Sequence, residues 1–406
     1  MACTKSLAMS PARRKAIVDR LLRFKVEVPS WGFADTGTRF GKFLQPAAAV
    51  DLQDKLADAG MTHRCTGMTP TVAVHVLWDF PTGFDPSVVA LARKHGVRIG
   101  SINPNVFQDQ CYKYGSVTHS DPAIRRRATR HILDSIKVGR QCGSEYLSLW
   151  FADGANYPGQ ADIAQRKAYA TAALRQAHRA MPPNMTMLVE YKPFEPATYF
   201  TDFFDWGSAY IFAKAAGPRA RVLVDLGHHL PGCNIEQIVA WLIDEKMLGG
   251  FHFNDRKYAD DDLTTGSIDP YQAFRIFNEI FAAEWRTGRD LNIAYMIDQS
   301  HNIKPKVLAM IQTVVTIQAL AAKALCVDRK ALAAAQKRHD VVACEEILRE
   351  AFFADVSPLL REVRKKLRCP ADPVAAYRAS GYEARAAKAR SAKRKALGIT
   401  AESSYA

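Results

Sequence analysis

The chain has 406 residues, of which 48% are hydrophobic and 24% are charged, and this is the composition of a folded globular protein rather than a disordered one. Its length suits one large barrel or two ordinary domains. The net charge of +14 raises the question of nucleic-acid binding. However, residues 361–406 hold twelve Lys and Arg against four Asp and Glu, and a basic, alanine-rich terminal helix is usually a solvated face or a subunit contact. We therefore expect no nucleic-acid partner.

The N-terminal segment and the cysteines indicate the cellular compartment in which we expect the protein. Residues 1–24 lack the continuous apolar core of a secretory signal and are typical of a basic amphipathic helix. The eight cysteines have no CxxC spacing, which favours reduced thiols in a cytoplasmic protein. No uninterrupted apolar run approaches the roughly 18–20 residues of a membrane span. We expect a cytoplasmic protein without membrane contact.

From residue 25 onward, short apolar runs alternate with amphipathic segments that often end on glycine, as helices do. Each run has the length and the β-branched or aromatic content of a buried strand. The eight predicted strands are KVEVPSW (25–31), TVAVHVLWD (71–79), VRIGSINPN (97–105), EYLSLWFADG (145–154), MTMLVEYKP (185–193), RVLVDLGHH (221–229), GGFHFND (249–255) and LNIAYMIDQS (291–300).

Eight strand–helix units in about 275 residues predict an α/β protein with a closed (β/α)8 barrel over residues 25–300. An open, doubly wound sheet is the alternative, but no GxGxxG follows the first predicted strand. Residues 1–24 are expected to form a separate N-terminal helix. Residues 301–406 contain no strand pattern and are predicted to form a C-terminal helical extension that makes subunit contacts.

Acidic and histidine side chains collect at the C-terminal ends of the last four predicted strands, where the loops of a barrel form one mouth. Glu190 and Lys192 stand two residues apart, so the strand period points both inward. The candidate metal ligands at this mouth are Glu190, Asp225, His228, His252, Asp260, Asp262 and Asp298.

An oxygen-rich set with two imidazoles and no thiolate suits Mn²⁺, Mg²⁺ or Co²⁺. The set exceeds what one ion needs, and two dications with Lys192 would balance its five carboxylates. Taken singly, each residue also has an ordinary structural interpretation. A strand-end aspartate often caps a helix, and residues 260–262 alone would be a solvated acidic loop. Their joint placement on successive strands favours a metal centre.

Four motifs carry a resemblance to a known family: VEYKPFEP (189–196), VDLGHH (224–229) with NIE (234–236), GGFHFNDRKYADDDL (249–263) with GSIDPY (266–271), and IDQSHN (297–302). At these motifs the chain resembles the bacterial L-rhamnose isomerases of the broad-specificity type, which are xylose-isomerase-like barrels. The resemblance covers roughly residues 25–400. Arg256 and Ala259 depart from it, since serine and glycine are expected at these two positions beside the metal loop.

The resemblance implies two divalent ions per subunit, with Mn²⁺ expected and Co²⁺ or Mg²⁺ as alternatives. The first would be held by Glu190, Asp225, His252 and Asp298. The second would be held by Asp225, His228, Asp260 and Asp262. It further implies that Lys192 contacts the substrate near C1, and that His75 lies near the ring oxygen and helps to open the pyranose. The implied aromatic wall consists of Trp78, Phe107 and Trp150.

The function implied is interconversion of L-rhamnose and L-rhamnulose, and of other aldoses and ketoses, by a homotetramer. Hydrogen would move between C1 and C2 by a metal-assisted hydride shift, or through an enediol with Glu190 or Asp298 as the base. Two alternatives stay open. A metal-dependent endonuclease on a similar barrel would fit the pI of 9.4. A ketose 3-epimerase would use one ion and two glutamates.

Overall fold

The computed structural model describes residues 9–35, 43–195, 200–258, 260 and 262–399. Its strands are β1 (Glu27–Pro29), β2 (Thr71–His75), β3 (Arg98–Asn103), β4 (Tyr146–Leu149), β5 (Thr186–Glu190), β6 (Ala220–Asp225), β7 (Leu248–Phe253) and β8 (Ala294–Ile297). They form a closed parallel barrel in chain order. The predicted barrel is confirmed, and the open sheet is wrong because Glu27 of β1 pairs with Met296 of β8.

Each predicted run contains one strand, but the strands stop earlier than the runs. In the second run, β2 ends at His75, and residues 76–79 form a helical turn instead of continuing the strand. The turn is fixed by Asp79, whose carboxylate accepts a hydrogen bond from the His75 backbone N–H at 2.8 Å. Trp78 therefore lies on a helical turn at the mouth, and not on the strand as the run predicts.

The helices are α1 (Pro11–Arg23), α2 (Leu52–Thr66), α3 (Val76–Asp79), α4 (Ser87–Lys94), α5 (Pro122–Cys142), α6 (Ile163–Ala180), α7 (Trp206–Ala216), α8 (Ile235–Asp244), α9 (Pro270–Thr287), α10 (Lys306–Leu325), α11 (Arg329–Lys337), α12 (Val341–Phe353), α13 (Ser357–Lys366), α14 (Pro373–Ala379) and α15 (Tyr382–Ala396). Aspartate side chains cap several N-termini, as Asp51 caps α2 and Asp121 caps α5. Gly67 and Gly143 end the same two helices with a positive φ.

Strand alternation separates two buried layers. Leu188, Leu223 and Met296 pack together inside the barrel. Their strand neighbours Val189 and Val224 face outward into the large core beneath the helices. Because side chains on one face of a strand recur every second residue, the positions above the inner layer also point inward. This places Glu190, Asp225 and Asp298 above Leu188, Leu223 and Met296, at the end of the barrel where the strands finish.

Helix α10 is long and apolar enough to cross a membrane by length and composition, although its apolar run is interrupted by polar residues. In the structure, 67% of its most apolar window is buried inside the protein. Such burial is typical of a core helix in a globular protein.

The basic C-terminal segment folds back on the barrel. Arg390 of α15 makes two hydrogen bonds to the carboxylate of Asp58 on α2, at 2.7 and 3.0 Å, and Tyr382 donates a third at 2.7 Å. Arg394 pairs with Asp35 at 2.7 Å. Both arginines are buried, so part of the tail's charge serves contacts within the chain rather than a solvated face. The seven cysteines that the structure describes are all free thiols.

Candidate metal centre

Four consecutive strands bring one donor each to the mouth of the barrel. One ligand atom from each side chain lies within 4.8 Å of the others, in a cluster of Glu190, Asp225, His252 and Asp298. The sheet register explains the convergence, because Asp225 is paired directly with His252 across β6 and β7. Asp298 follows β8 immediately and lies two residues beyond Met296, on the same inward face.

His252 lies at the centre of this cluster. Its Nδ1 is 3.1 Å from Glu190 Oε1, 3.7 Å from Asp225 Oδ2 and 4.0 Å from Asp298 Oδ2. Burial alone would lower the pKa of His252, but the surrounding carboxylates, Glu190 first, raise it to about 9. Burial raises the pKa of Asp225 to about 7, against the attraction of His228 and His252. At neutral pH the cluster therefore binds protons, and a divalent cation would neutralise the same carboxylates.

The donor set fits a hard divalent cation, because three carboxylates and one imidazole are the ligands that Mn²⁺, Mg²⁺ and Co²⁺ accept. The carboxylates are also oriented by donors behind them. Trp31 Nε1 donates to Asp298 Oδ1 at 2.8 Å, which leaves the other oxygen facing His252. Asp225 accepts from Gly227 N at 2.7 Å, and the Asn254 side-chain amide nitrogen donates to its two carboxylate oxygens at 3.0 and 3.1 Å. Such outer partners fix the geometry of metal ligands.

The remaining predicted ligands lie beside this cluster. His228 Nδ1 is 3.0 Å from the Tyr191 carbonyl and 3.2 Å from Glu190 Oε1, and both of these atoms are acceptors. The proton of a neutral His228 therefore belongs on Nδ1, which leaves Nε2 available toward Asp260 Oδ1 at 3.5 Å. Among the described residues, these side chains do not form a second cluster as close as the first.

Lys192 explains part of this difference. Its ammonium lies 2.7 Å from Asp260 Oδ2 and also pairs with Glu195. Burial lowers the pKa of Lys192, but Asp260 and Glu195 raise it further, so the group stays charged. Glu195 adds a sixth carboxylate to the mouth. Two dications and Lys192 would then leave one net negative charge, so the neutrality expected from the sequence is wrong by one charge.

The loop that carries Asp260 and Asp262 is tied down at both ends. Asp255 and Leu263 exchange backbone hydrogen bonds of 2.9 Å each. The Arg256 guanidinium donates to the carbonyls of Leu226, His229 and Leu230, at 2.6 to 3.2 Å. Arg256 therefore joins the loop that carries Asp260 and Asp262 to the loop that carries His228. Ala259, the other departure from the family pattern, lies outside the described residues.

A cavity of about 370 Å³ opens above the cluster, a size that suits a small ligand. One wall is aromatic. The His75 ring lies 4.2 Å from Trp78 and 5.7 Å from Phe107, and Phe107 lies 4.8 Å from Trp150. The same cavity is lined by the carboxylates and by Lys192, whose ammonium is 5.2 Å from the centre of the Trp150 ring. A polar ligand with one apolar face would contact both kinds of side chain there.

Two polar atoms of the aromatic wall are available to such a ligand. His75 Nδ1 and Trp150 Nε1 are buried and have no hydrogen-bond partner among the described residues. Burial lowers the pKa of His75 to about 3, with Lys55 contributing, so the imidazole is neutral at physiological pH. A neutral imidazole and an indole N–H can bind hydroxyl groups without adding charge.

Three contributors lacked an assigned role in the sequence prediction. Asn254 stands two residues after His252, so the strand period could have placed it on the inward face. Glu195 lies within a quoted motif, but its pairing with Lys192 depends on how the loop after β5 folds. Trp31 donates its indole N–H to Asp298 and also packs against the His75 ring, with 4.6 Å between the ring centres.

The fold and the site together define a class: a parallel (β/α)8 barrel with a carboxylate-rich candidate metal centre at its mouth. The chain belongs to the xylose isomerase-like TIM barrel family, whose sequence profile matches residues 67–287. A protein of Rhizobium meliloti named "probable sugar isomerase" is 42% identical over 400 residues, which cover 96% of this chain and 92% of the relative. A protein of the same description from Mesorhizobium japonicum is 41% identical over 383 residues, covering 93% and 88%.

Among solved structures, a D-allulose 3-epimerase from Methylomonas sp. superposes with a TM-score of 0.52. The superposition covers 73% of this chain and 98% of the epimerase, at 14% sequence identity. At this identity the likeness concerns the fold alone.

Proposed function

We propose that the protein is a metal-dependent aldose–ketose isomerase that interconverts L-rhamnose and L-rhamnulose and also accepts other aldoses and ketoses. The observation that carries this proposal is the cluster of Glu190, Asp225, His252 and Asp298 beneath a cavity with one aromatic and one charged wall. The relatives named as sugar isomerases support it, since they match nearly the whole chain.

The first ion, for which we propose Mn²⁺, would be held by Glu190, Asp225, His252 and Asp298. A second would be held by Asp225, His228, Asp260 and Asp262. When bound, these cations supply positive charge that orients and polarises neighbouring sugar oxygens. The raised pKa of Asp262, which burial and the nearby Asp260 and Asp298 cause, supports a cation at this loop.

Lys192 is the protein's own electrostatic group for the reaction. Moving hydrogen between C1 and C2 places negative charge on O1 or O2, and an ammonium in a buried pocket stabilises that charge. Its position between Asp260 and the Trp150 ring aims it into the cavity. The aromatic wall of Trp78, Phe107 and Trp150 would pack on the apolar face of the sugar and exclude water. Neutral His75 would bind the ring oxygen or its neighbouring hydroxyl while the pyranose opens.

Two routes for the hydrogen remain distinct proposals. In the first, the hydrogen passes directly between C1 and C2 as a hydride. In the second, Glu190 or Asp298 removes a proton from carbon and an enediol forms. Isomerisation in D₂O separates them, because exchange with solvent would label C1 on the enediol route and would leave it unlabelled on the direct route.

A ketose 3-epimerase is the second candidate, favoured by one observation. Only the first four ligands form a close cluster among the described residues, and a single ion is what the epimerase alternative requires. Product analysis distinguishes the two, since an epimerase converts one ketose into another and forms no aldose. We give the endonuclease alternative less weight, because buried arginines of the basic tail are paired within the chain.

The experiment is an assay of ketose formation from a panel of aldoses that includes L-rhamnose. We expect activity with Mn²⁺, loss after chelation and recovery on adding the metal back. Asp298→Asn should lower kcat by about 100-fold or more, because a charged ligand is lost. Asp244→Asn, an exposed aspartate at the end of α8, should change nothing. No ketose from any aldose, or full activity with metal loss verified, would overturn the proposal.

We also propose a cytoplasmic homotetramer. The outer faces of α7 and α8 expose Ile211 and Trp241, which a subunit contact would cover. Light scattering on the purified protein measures the assembly, and a monomer at micromolar concentration would contradict it.

A further inference from the structure

A second cavity, of about 570 Å³, lies at the other end of the barrel. Its walls come from α1, from the end of α9 with the loop that leads into β8, and from the junction of α10 and α11. The segments that lead into β1 and β8 lie where strands begin, whereas the metal centre lies where strands end. The cavity is therefore separate from the proposed active site, and no step of the proposed reaction uses it.

The cavity is lined by six basic side chains, which are Arg13, Arg20, Arg23, Arg289, Arg329 and Lys330. Three acidic side chains accompany them, and two of these are already paired. Glu284 holds Arg20 through hydrogen bonds of 2.7 and 2.8 Å, and Asp290 holds Arg23 at 2.6 and 2.9 Å.

The third acid, Asp328, accepts hydrogen bonds from the backbone N–H groups of Lys330 and Ala331 and so caps α11. Arg13, Arg289, Arg329 and Lys330 consequently have no carboxylate partner in the part of the chain that the structure describes. The cavity carries a net charge of +3.

Two of these cations are fixed by neutral acceptors. Arg13 Nη2 donates to the carbonyl of Cys326 at 2.7 Å. Arg329 Nη2 donates to the carbonyl of Ala324 at 2.9 Å, and its Nη1 donates to the Asn278 side chain. Both guanidinium groups are thereby held in place by the end of α10 without being neutralised. Burial lowers the pKa of Arg329 to about 10 against the attraction of the nearby Glu279 carboxylate, and the neighbouring Arg286 and Arg13 lower it further. A bound anion would stabilise the buried positive charge of Arg329.

We propose that this cavity binds a phosphorylated small molecule through its phosphate group. Arginine presents forked N–H donors that match phosphate oxygens, and fixed guanidinium groups lose little entropy when they bind. The volume lies within the usual range for small-ligand sites. Trp285, half exposed in the same wall, offers an apolar surface for the rest of the ligand. The ligand source is either free phosphate or a phosphorylated metabolite.

The test is calorimetric titration of the full-length, Mn²⁺-loaded protein with inorganic phosphate and, separately, with glucose 6-phosphate. We expect saturable binding by the wild type, and binding about tenfold weaker or more in Arg13→Gln/Lys330→Gln. Lys337→Gln is the matched control, because Lys337 is an exposed lysine on α11 outside the cavity. Asp298→Asn should bind as the wild type does, which separates this cavity from the metal centre.

Equal affinities for the two probes would identify the phosphate group alone as the ligand, and tighter binding of glucose 6-phosphate would add contacts to the sugar. If the double variant is unstable, Lys330→Gln alone decides, because its side chain makes no hydrogen bond or ion pair within the described residues. It should weaken binding several-fold and leave the melting temperature unchanged. The proposal is overturned if the wild type binds neither probe, or if the charge-removing variants bind as tightly as the wild type.

Discussion

Loading the metal-free protein with Mn²⁺ should release protons, and the amount follows from the cluster. At pH 7 a histidine whose pKa is about 9, as for His252, carries its proton in about 99% of molecules, and a carboxyl whose pKa is about 7, as for Asp225, does so in about half. A metal ion needs both groups deprotonated. Binding of the first ion should therefore release about 1.5 protons at pH 7 from these two groups.

The same linkage sets the pH dependence of affinity. Since the metal-free cluster holds more protons as the pH falls, Mn²⁺ binding should weaken about fiftyfold between pH 7 and pH 6. Calorimetry in two buffers of different ionisation enthalpy measures the proton count directly. His339→Asn, a change at an exposed histidine outside the site, is the control and should not alter it. Release of fewer than about 0.5 protons, or an affinity independent of pH, would refute the placement of the ion beside His252.

Three further predictions concern single side chains. Lys192→Met should lower kcat by about 100-fold or more, because a charge that stabilises the oxyanion is lost, while the Mn²⁺ content stays unchanged. Steady-state kinetics and metal analysis measure the two quantities, and an unchanged kcat would exclude that role for Lys192. Arg390→Met should cost about 3–5 kcal/mol in urea unfolding because it leaves the buried Asp58 carboxylate without its cationic partner. Lys388→Met, at an exposed position on the same helix, should stay within about 0.5 kcal/mol, and equal effects of the two changes would refute the pairing. Trp150→Ala should raise KM for the sugar about ten- to a hundredfold without changing metal affinity, since it removes apolar contact area; an unchanged KM would remove Trp150 from the pocket.

Local pattern was enough to predict the barrel. Each strand run has its own apolar signature, and eight runs alternating with helices leave few topologies open. The same period of two points Glu190 and Asp225 inward, which is why the structure brings them together with His252 and Asp298. The positions of these side chains follow from the strand period because the side chains lie on regular strands or immediately after them.

Features that depend on loops could not be predicted in this way. The pairing of Lys192 with Glu195 and Asp260 joins two loops whose paths no periodicity encodes. Arg256 binds carbonyl groups of another loop, and backbone acceptors leave no trace in the sequence. The buried pair of Arg390 and Asp58 spans 332 positions along the chain. The sequence shows only a basic C-terminal segment there, because the acidic partners of its arginines lie far away in the chain.

The proposed reaction depends on a divalent cation in the cluster of Glu190, Asp225, His252 and Asp298. Crystals soaked in Mn²⁺ and measured at a wavelength where manganese scatters anomalously would locate this ion. We predict an anomalous peak in contact with Asp225, between Glu190 and Asp298. A map with the four side chains well ordered and no peak beside Asp225 would contradict the claim.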